Sequence, residues 1–229
     1  MVSTHHGSVT CCCLGNSVIF DSRIHAGHAL AFLLSTFHGS HVFVVGLARG
    51  GMEVANTVAY DLSLPLDVLV VKKIPSPCNS ELAVGAVAPD GISFVYRKLA
   101  GRVGADSLYV QAQIDMVNNY IRQKMLLYRK GKKSLTIQDK TVIVVDDGVA
   151  TGATMQTAIK WCKAKKARTI IAAAPVAHPD GLARISREGV SIVVCQKPST
   201  FEAVGQFYKK FPQLTDDNVI QLLHTSTVL

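Results

Sequence analysis

No stretch of this chain approaches the roughly 20 uncharged apolar residues that a membrane-spanning helix needs. The candidate run Ala29 to Phe37 is too short and follows His25 and His28. No C-x-x-C pair occurs among the six cysteines, and three of them, Cys11, Cys12 and Cys13, are adjacent. That is no disulfide framework, and no secretory leader precedes it, so a reducing cytoplasm is the expected compartment. The basic amphipathic context that would make the cysteine run a lipidation site is missing. His5 and His6 have no metal-ligand spacing. The dinucleotide fingerprint G-x-G-x-x-G is absent. So is the lysine that follows the glycine of a nucleoside-triphosphatase P-loop, since Ala153 stands between Gly152 and Thr154.

What is present is a folded composition: 229 residues, 48% of them apolar, enough for one substantial core. The formal charge of +8 suits nucleic acid, anionic lipid or a small polyanion equally well. Much of it lies in two runs, Arg122 to Lys133 and Lys160 to Arg168. Each reads first as a solvated face, with phosphate or an anionic partner as the alternative; nucleic acid is not specifically indicated.

Residues 1 to 18 read as an ill-ordered lead-in and 19 to 229 as one domain. Asp21 or Ser22 caps a helix to about Ser35. Val42 to Val45 is a buried strand, 46 to 51 a tight turn, and Met52 to Tyr60 a helix. Leu66 to Val71 is a strand ending in Lys72 and Lys73. Residues 74 to 105 form a flap, of which 74 to 92 are loop-like, either mobile or a small hairpin layer. Asp106 to Arg129 is a long helix with Leu108, Ile114, Val117, Ile121, Met125 and Tyr128 as its apolar stripe. Strands at Thr141 to Val145, Thr169 to Val176 and Ser191 to Cys195 alternate with helices at Met155 to Cys162 and Asp180 to Arg187. Hood elements follow over 197 to 229, with short helices at 204 to 210 and 216 to 223. The fold class is therefore α/β, a central, mostly parallel sheet with helices on both faces. In such sheets ligands sit beyond the carboxyl ends of the strands. The turn at Arg49, Lys72-Lys73 and Asp146-Asp147 all follow strands and belong on one edge.

The densest chemistry is at Val144 to Thr154. Two acids end a buried strand, where unpaired carboxylates cost several kcal/mol. Gly148, Val149, Ala150, Thr151, Gly152, Ala153 and Thr154 then open a helix whose free N–H groups accept an anion, with hydroxyls at 151 and 154 as further donors. Acceptors for sugar hydroxyls thus stand beside a cradle for one phosphate, an order that suits a ribose 5-phosphate. The bland alternative is a helix-capping turn that binds nothing.

Residues 142 to 154 closely resemble the phosphoribosyl pyrophosphate motif of the type I phosphoribosyltransferases. Residues 20 to 225 resemble a bacterial-type subgroup of that family whose acceptor substrate is undefined. The subgroup's Gly-Leu-Pro-Arg-Gly-Gly turn here reads Gly46-Leu47-Ala48-Arg49-Gly50-Gly51, alanine replacing proline. The likeness recurs at Lys73, at Asn79 to Val87 and at Phe201 to Tyr208.

The resemblance implies that Asp146 and Asp147 hold the ribose 2- and 3-hydroxyls and that Ala150 to Thr154 hold the 5-phosphate. It implies that the turn with Arg49 and Gly50 takes the pyrophosphate, with Lys73 as second cation. Mg2+ enters with phosphoribosyl pyrophosphate, and no protein metal ligand is expected. The implied reaction transfers the 5-phosphoribosyl group to a nitrogenous base. The alternatives are a sensor of phosphoribosyl pyrophosphate or of nucleotides, without catalysis, and a hydrolase or phosphorylase of a phosphoribosyl compound. The acceptor stays open: at Ala150 the hypoxanthine-guanine type carries an aspartate, whereas the adenine type also has alanine. Phe201, Phe207 and Tyr208 are candidates to stack on a base, or plain packing. His178 and Glu81 are outside candidates for an acid–base group. A homo-oligomer is expected.

Overall fold

The computed structural model describes residues 9–11, 18–80 and 82–225. Six parallel strands form the main sheet, in the order β1 (Val9–Cys11), β9 (Ser191–Gln196), β8 (Thr169–Val176), β7 (Thr141–Val145), β2 (Val42–Leu47) and β3 (Leu66–Leu69). Period-two alternation splits each strand between two layers. Ile143 and Val145 face one core, with α1 (Arg23–Leu33), α2 (Gly51–Asp61), α4 (Ser107–Arg129) and α7 (Asp216–Thr225). Val142 and Val144 face the other, with α5 (Ala153–Ala164) and α6 (Pro179–Ser186). Because both faces are covered, the strands read as near-continuous apolar runs.

Helix starts follow local chemistry. The Ser22 hydroxyl accepts from the His25 N–H and the Asp106 carboxylate from the Tyr109 N–H, so each satisfies an otherwise orphaned donor. Such caps contribute about 1 kcal/mol each. No helix among the described residues is long and apolar enough to cross a membrane.

Three differences from the sequence reading have physical causes. Val9–Cys11, within the segment read as a lead-in, pairs with β9 at the sheet edge; its partner strand supplies order that three residues cannot encode alone. The strand from Leu66 ends at Leu69, and Lys72–Pro75 (β4) belongs to a second sheet. That sheet is antiparallel, β4 with β5 (Ala83–Val87) and β6 (Ser93–Val95), so of the two alternatives for the loop-like stretch 74 to 92 it is the small hairpin layer, with one strand more, that forms. Gly85 permits it, since a Cβ there would overlap the Phe94 carbonyl oxygen across the ladder. Finally, Leu108 of the expected apolar stripe is 80% exposed, whereas Val117, Ile121, Met125 and Tyr128 are buried. Leu108 stands six residues before Ile114, off the helical period, and in the same turn Tyr109 and Val110 pack against the core instead, the Tyr109 hydroxyl donating to the Pro75 carbonyl oxygen at 3.1 Å. A short helix α3 (Arg97–Arg102) links the small sheet to α4.

Candidate functional site

Strand register brings the site together. Gly46 of β2 lies opposite Val145 of β7, and Val145 opposite Ala173 of β8. The segments that follow β2 and β7 therefore emerge side by side at one sheet edge. After β7 the chain runs through Asp146 and Asp147, then turns at Gly152 with φ +81° to enter α5. Glycine fits that left-handed position without strain. The turn is packed from behind, since a Cβ on Gly181 would lie 2.5 Å from the Ala150 carbonyl oxygen.

A small cavity of about 190 Å³ opens here, lined by Asp146, Thr151, Thr154 and Lys73 among others. Gly148, Val149, Ala150 and Gly152 contribute its floor. Ala153, the first residue of α5, is buried behind it. Lys73 reaches the cavity from β4 of the second sheet, so a cation far from the loop in sequence joins it through tertiary packing.

Asp147 is turned elsewhere. Its Oδ2 accepts from the Arg23 Nε at 2.8 Å. Arg23, on α1, is only 4% exposed; it also donates from Nη1 to the Pro212 carbonyl at 2.8 Å and lies 3.8 Å above the Phe211 ring centroid. Glu53 stands 3.8 Å from the same guanidinium. The Tyr208 hydroxyl donates to the Asp147 carbonyl oxygen at 2.5 Å. The sequence reading missed Arg23, and nothing in its local context marks it, because its partners lie far along the chain.

The two glycines of the 46-to-51 turn are explained by the acids. A Cβ on Gly50 would overlap the Asp147 Oδ2, and one on Gly51 would fall 2.8 Å from the Asp146 Cα. The turn and the acids are thus in direct contact. Arg49 is exposed at the tip of the turn, with a cis peptide before it, and its charge reaches Asp216 and Tyr128. It does not line the small cavity.

Burial pushes the Asp146 carboxyl well above the usual carboxylate range, and the neighbouring Asp147 charge adds to the rise. Burial also raises Asp147, opposed by the Arg23 guanidinium. Glu53 rises for the same reason, again opposed by Arg23. Three acids gathered around one buried cation form an environment short of positive charge, one that a ligand with hydroxyl donors or a cation complements.

Phe207 and Tyr208 are buried, and Phe201 packs on Phe207 with ring centroids 5.1 Å apart. His178 caps α6, its Nδ1 accepting from the Asp180 N–H at 3.0 Å. Glu81 and the side chains of Cys11 to Cys13 lie outside the described residues, as do His5 and His6. Among the described residues no group of three His, Cys, Asp or Glu side chains is arranged to hold a metal ion.

A parallel sheet covered on both faces, with two strand-end acids followed by a glycine-rich loop and a helix start at its carboxyl edge, has the layout of the α/β domains that bind ligands at that edge. The phosphoribosyl transferase domain model matches residues 18–211, and the chain belongs to that family. It is 35% identical over 205 residues to "Putative phosphoribosyl transferase Rv0571c" of Mycobacterium tuberculosis, covering 90% of this chain and 46% of that protein. The chain thus spans about half the length of the curated relatives it matches. The crystal structure of TT1426 from Thermus thermophilus superimposes with a TM-score of 0.75 at 34% identity, covering 89% of this chain and 97% of that one.

Proposed function

We propose that this domain transfers the 5-phosphoribosyl group between phosphoribosyl pyrophosphate and a nitrogenous base, with pyrophosphate as the leaving or attacking group. The single observation that carries the reading is the cavity in which Lys73, Asp146, Thr151 and Thr154 meet at the start of α5. A phosphate there takes N–H donors from the helix start and charge from Lys73. Asp146 and Asp147 accept hydrogen bonds from the ribose 2- and 3-hydroxyls, with Arg23 fixing the orientation of Asp147.

Breaking the bond from C1 to pyrophosphate leaves an oxocarbenium-like sugar and growing negative charge on the leaving group. Arg49, exposed at the tip of a turn that touches the acids, and the N–H groups around Gly50 offset that charge. Mg2+ would enter with the ligand, and Asp146 and Asp147 are the carboxylates of this chain that would offer it hard oxygen donors. When bound, it supplies further charge neutralisation on the pyrophosphate. Ala150, opposite the base in this reading, has no proton to exchange. Selectivity for the base then rests on packing and on groups from the hood, where Phe201 is half-buried beside His178.

The test is pyrophosphate release from phosphoribosyl pyrophosphate with Mg2+ across a panel of purine and pyrimidine bases, with the D146A/D147A double variant as control. Release with one base and none from the variant establishes the transferase and names its acceptor. Tight binding with no release on any base would move the chain to the sensing role.

A further inference from the structure

A second and larger depression, of about 840 Å³, opens beside the small cavity and shares Lys73 and Thr151 with it. It lies between the second sheet with α3 on one side and α6 on the other. Six cations line it: Lys73, Arg97, Lys98, Arg102, Arg184 and Arg187. The one acid on its wall, Glu188, is already engaged by Lys163 at 3.0 Å and stands 3.9 Å from Lys160. Among the described residues none of the six cations is ion-paired with a carboxylate.

In the two basic runs of the sequence, Lys124 pairs with Asp216, Arg129 with Asp67, Lys163 with Glu188 and Lys165 with Asp90. Arg122, Lys130, Lys132, Lys133, Lys166 and Arg168 of the same runs have no carboxylate partner among the described residues either, so what sets the groove apart is that its six cations line one concave wall. Such a cleft focuses a positive field and gathers anions. Four of the six are arginines, whose planar fork matches phosphate oxygens in pairs.

The groove is also built against the phosphate loop. Arg184 donates from Nη1 to the Thr151 carbonyl oxygen at 2.9 Å, and its guanidinium stands 5.5 Å from the Tyr96 ring centroid. Gln156, buried on α5, donates to the Arg184 carbonyl oxygen at 3.1 Å and accepts from the Tyr96 hydroxyl at 3.3 Å. One side chain of the groove therefore holds the backbone of the residue that also lines the cradle. The aromatic rings are engaged, Tyr96 edge-on with Phe94 at 4.8 Å between centroids. They are not splayed as stacking platforms for a single strand of nucleic acid.

We propose that this groove is a second anion site, which binds a ligand carrying several linked phosphates next to the ribose 5-phosphate cradle. It rests on the reading above only for what fills the cradle. The ligand's phosphates lie along Arg97, Arg102 and Arg187, and its near end meets Arg184, with Lys73 left to the cradle. Because Arg184 anchors Thr151, occupation of the groove alters the cradle's affinity for its own phosphate, and by linkage the reverse holds.

The probe is inorganic tripolyphosphate in Mg2+-free buffer, titrated calorimetrically with and without saturating ribose 5-phosphate. The variant is R97Q/R102Q/R187Q, three exposed side chains outside the cradle. The wild type should bind tripolyphosphate in both conditions, and the variant should bind it roughly tenfold more weakly or worse. Its melting temperature and its affinity for ribose 5-phosphate alone should stay near wild type. Unchanged tripolyphosphate affinity in the variant overturns the proposal. So does full displacement of tripolyphosphate by ribose 5-phosphate, which would put it in the cradle. Loss of short-RNA binding by the variant, with no tripolyphosphate binding by the wild type, would overturn it in favour of a nucleic-acid surface. Adenosine triphosphate distinguishes the sources: tighter binding than tripolyphosphate points to a nucleotide, and equal binding to the phosphate chain alone. The D146A/D147A variant separates this site from the cradle. It should lose ribose 5-phosphate while keeping tripolyphosphate, so failure of either site is read independently.

Discussion

The Asp147 carboxylate is held 2.8 Å from the Nε of Arg23, a buried side chain 124 residues earlier in the chain. This contact ties α1 to the end of β7 and fixes the second strand-end acid. It also ties both to the segment after Tyr208, through the Pro212 carbonyl and the Phe211 ring. A carboxylate buried beside another acid would otherwise leave the charged state or the fold.

Arg23→Met should therefore destabilise the protein strongly. Removing one partner of a buried ion pair costs about 3 to 5 kcal/mol, because the other charge stays behind. Urea unfolding of the variant checks this. A loss below about 1 kcal/mol would mean that Asp147 finds other partners, as exposed pairs do.

Asp146→Asn should raise the melting temperature near neutral pH while weakening ribose binding. The folded chain holds the Asp146 proton above the pH at which the unfolded chain releases it, because burial and the Asp147 charge disfavour the anion. Between the ordinary value of 3.8 and the raised folded value, the folded state binds more protons, so stability falls as pH rises through that window. The asparagine variant lacks this penalty. Its advantage should shrink on acidification and vanish below the ordinary carboxylate value. Melting curves across pH read it, and a variant less stable than wild type at neutral pH would count against the assignment.

Gly50→Ala drives a methyl group into the Asp147 carboxylate, an overlap that no rotamer of the alanine can relieve. Asp147 must move, and with it the Arg23 contact. Phosphoribosyl pyrophosphate affinity should drop by about two orders of magnitude, or ~2.7 kcal/mol. Far-ultraviolet dichroism distinguishes this from global unfolding. Retained affinity in a folded variant would show that the turn and the acids act separately.

Lys73→Met keeps the stem and removes the charge at the small cavity. Ribose 5-phosphate should bind roughly tenfold more weakly, a cost of ~1.4 kcal/mol. The wild-type affinity should fall with added salt more steeply than that of the variant, because one screened cation is gone. Equal salt dependence in the two proteins would place the lysine outside the phosphate's reach.

The alternation of strands and helices was legible because it is written in local periodicity, as Val142 to Val145 and their turn show. The acids and the glycine-rich loop were legible because their chemistry is contiguous. The Arg23 contact was not, since an arginine at the start of α1 looks like any other until α1 packs on α2, β8 and β9 and brings it to Asp147. The antiparallel sheet β4 to β6 was legible only as one of two alternatives, a hairpin layer or a mobile loop, because proline and glycine punctuate short strands that only their partners stabilise. The groove was equally hidden: Arg97 and Arg187 are brought to one wall only by the packing of α3 and α6 around the start of α5.

We propose that the segment from Asp146 to Thr154 binds a phosphorylated ribose. Calorimetric titration of phosphoribosyl pyrophosphate with Mg2+ into the wild type and into D146A/D147A tests it directly. Saturable binding to the wild type is expected, with its loss in a double variant that remains folded by dichroism. No binding to the wild type, or equal binding to both proteins, would contradict it.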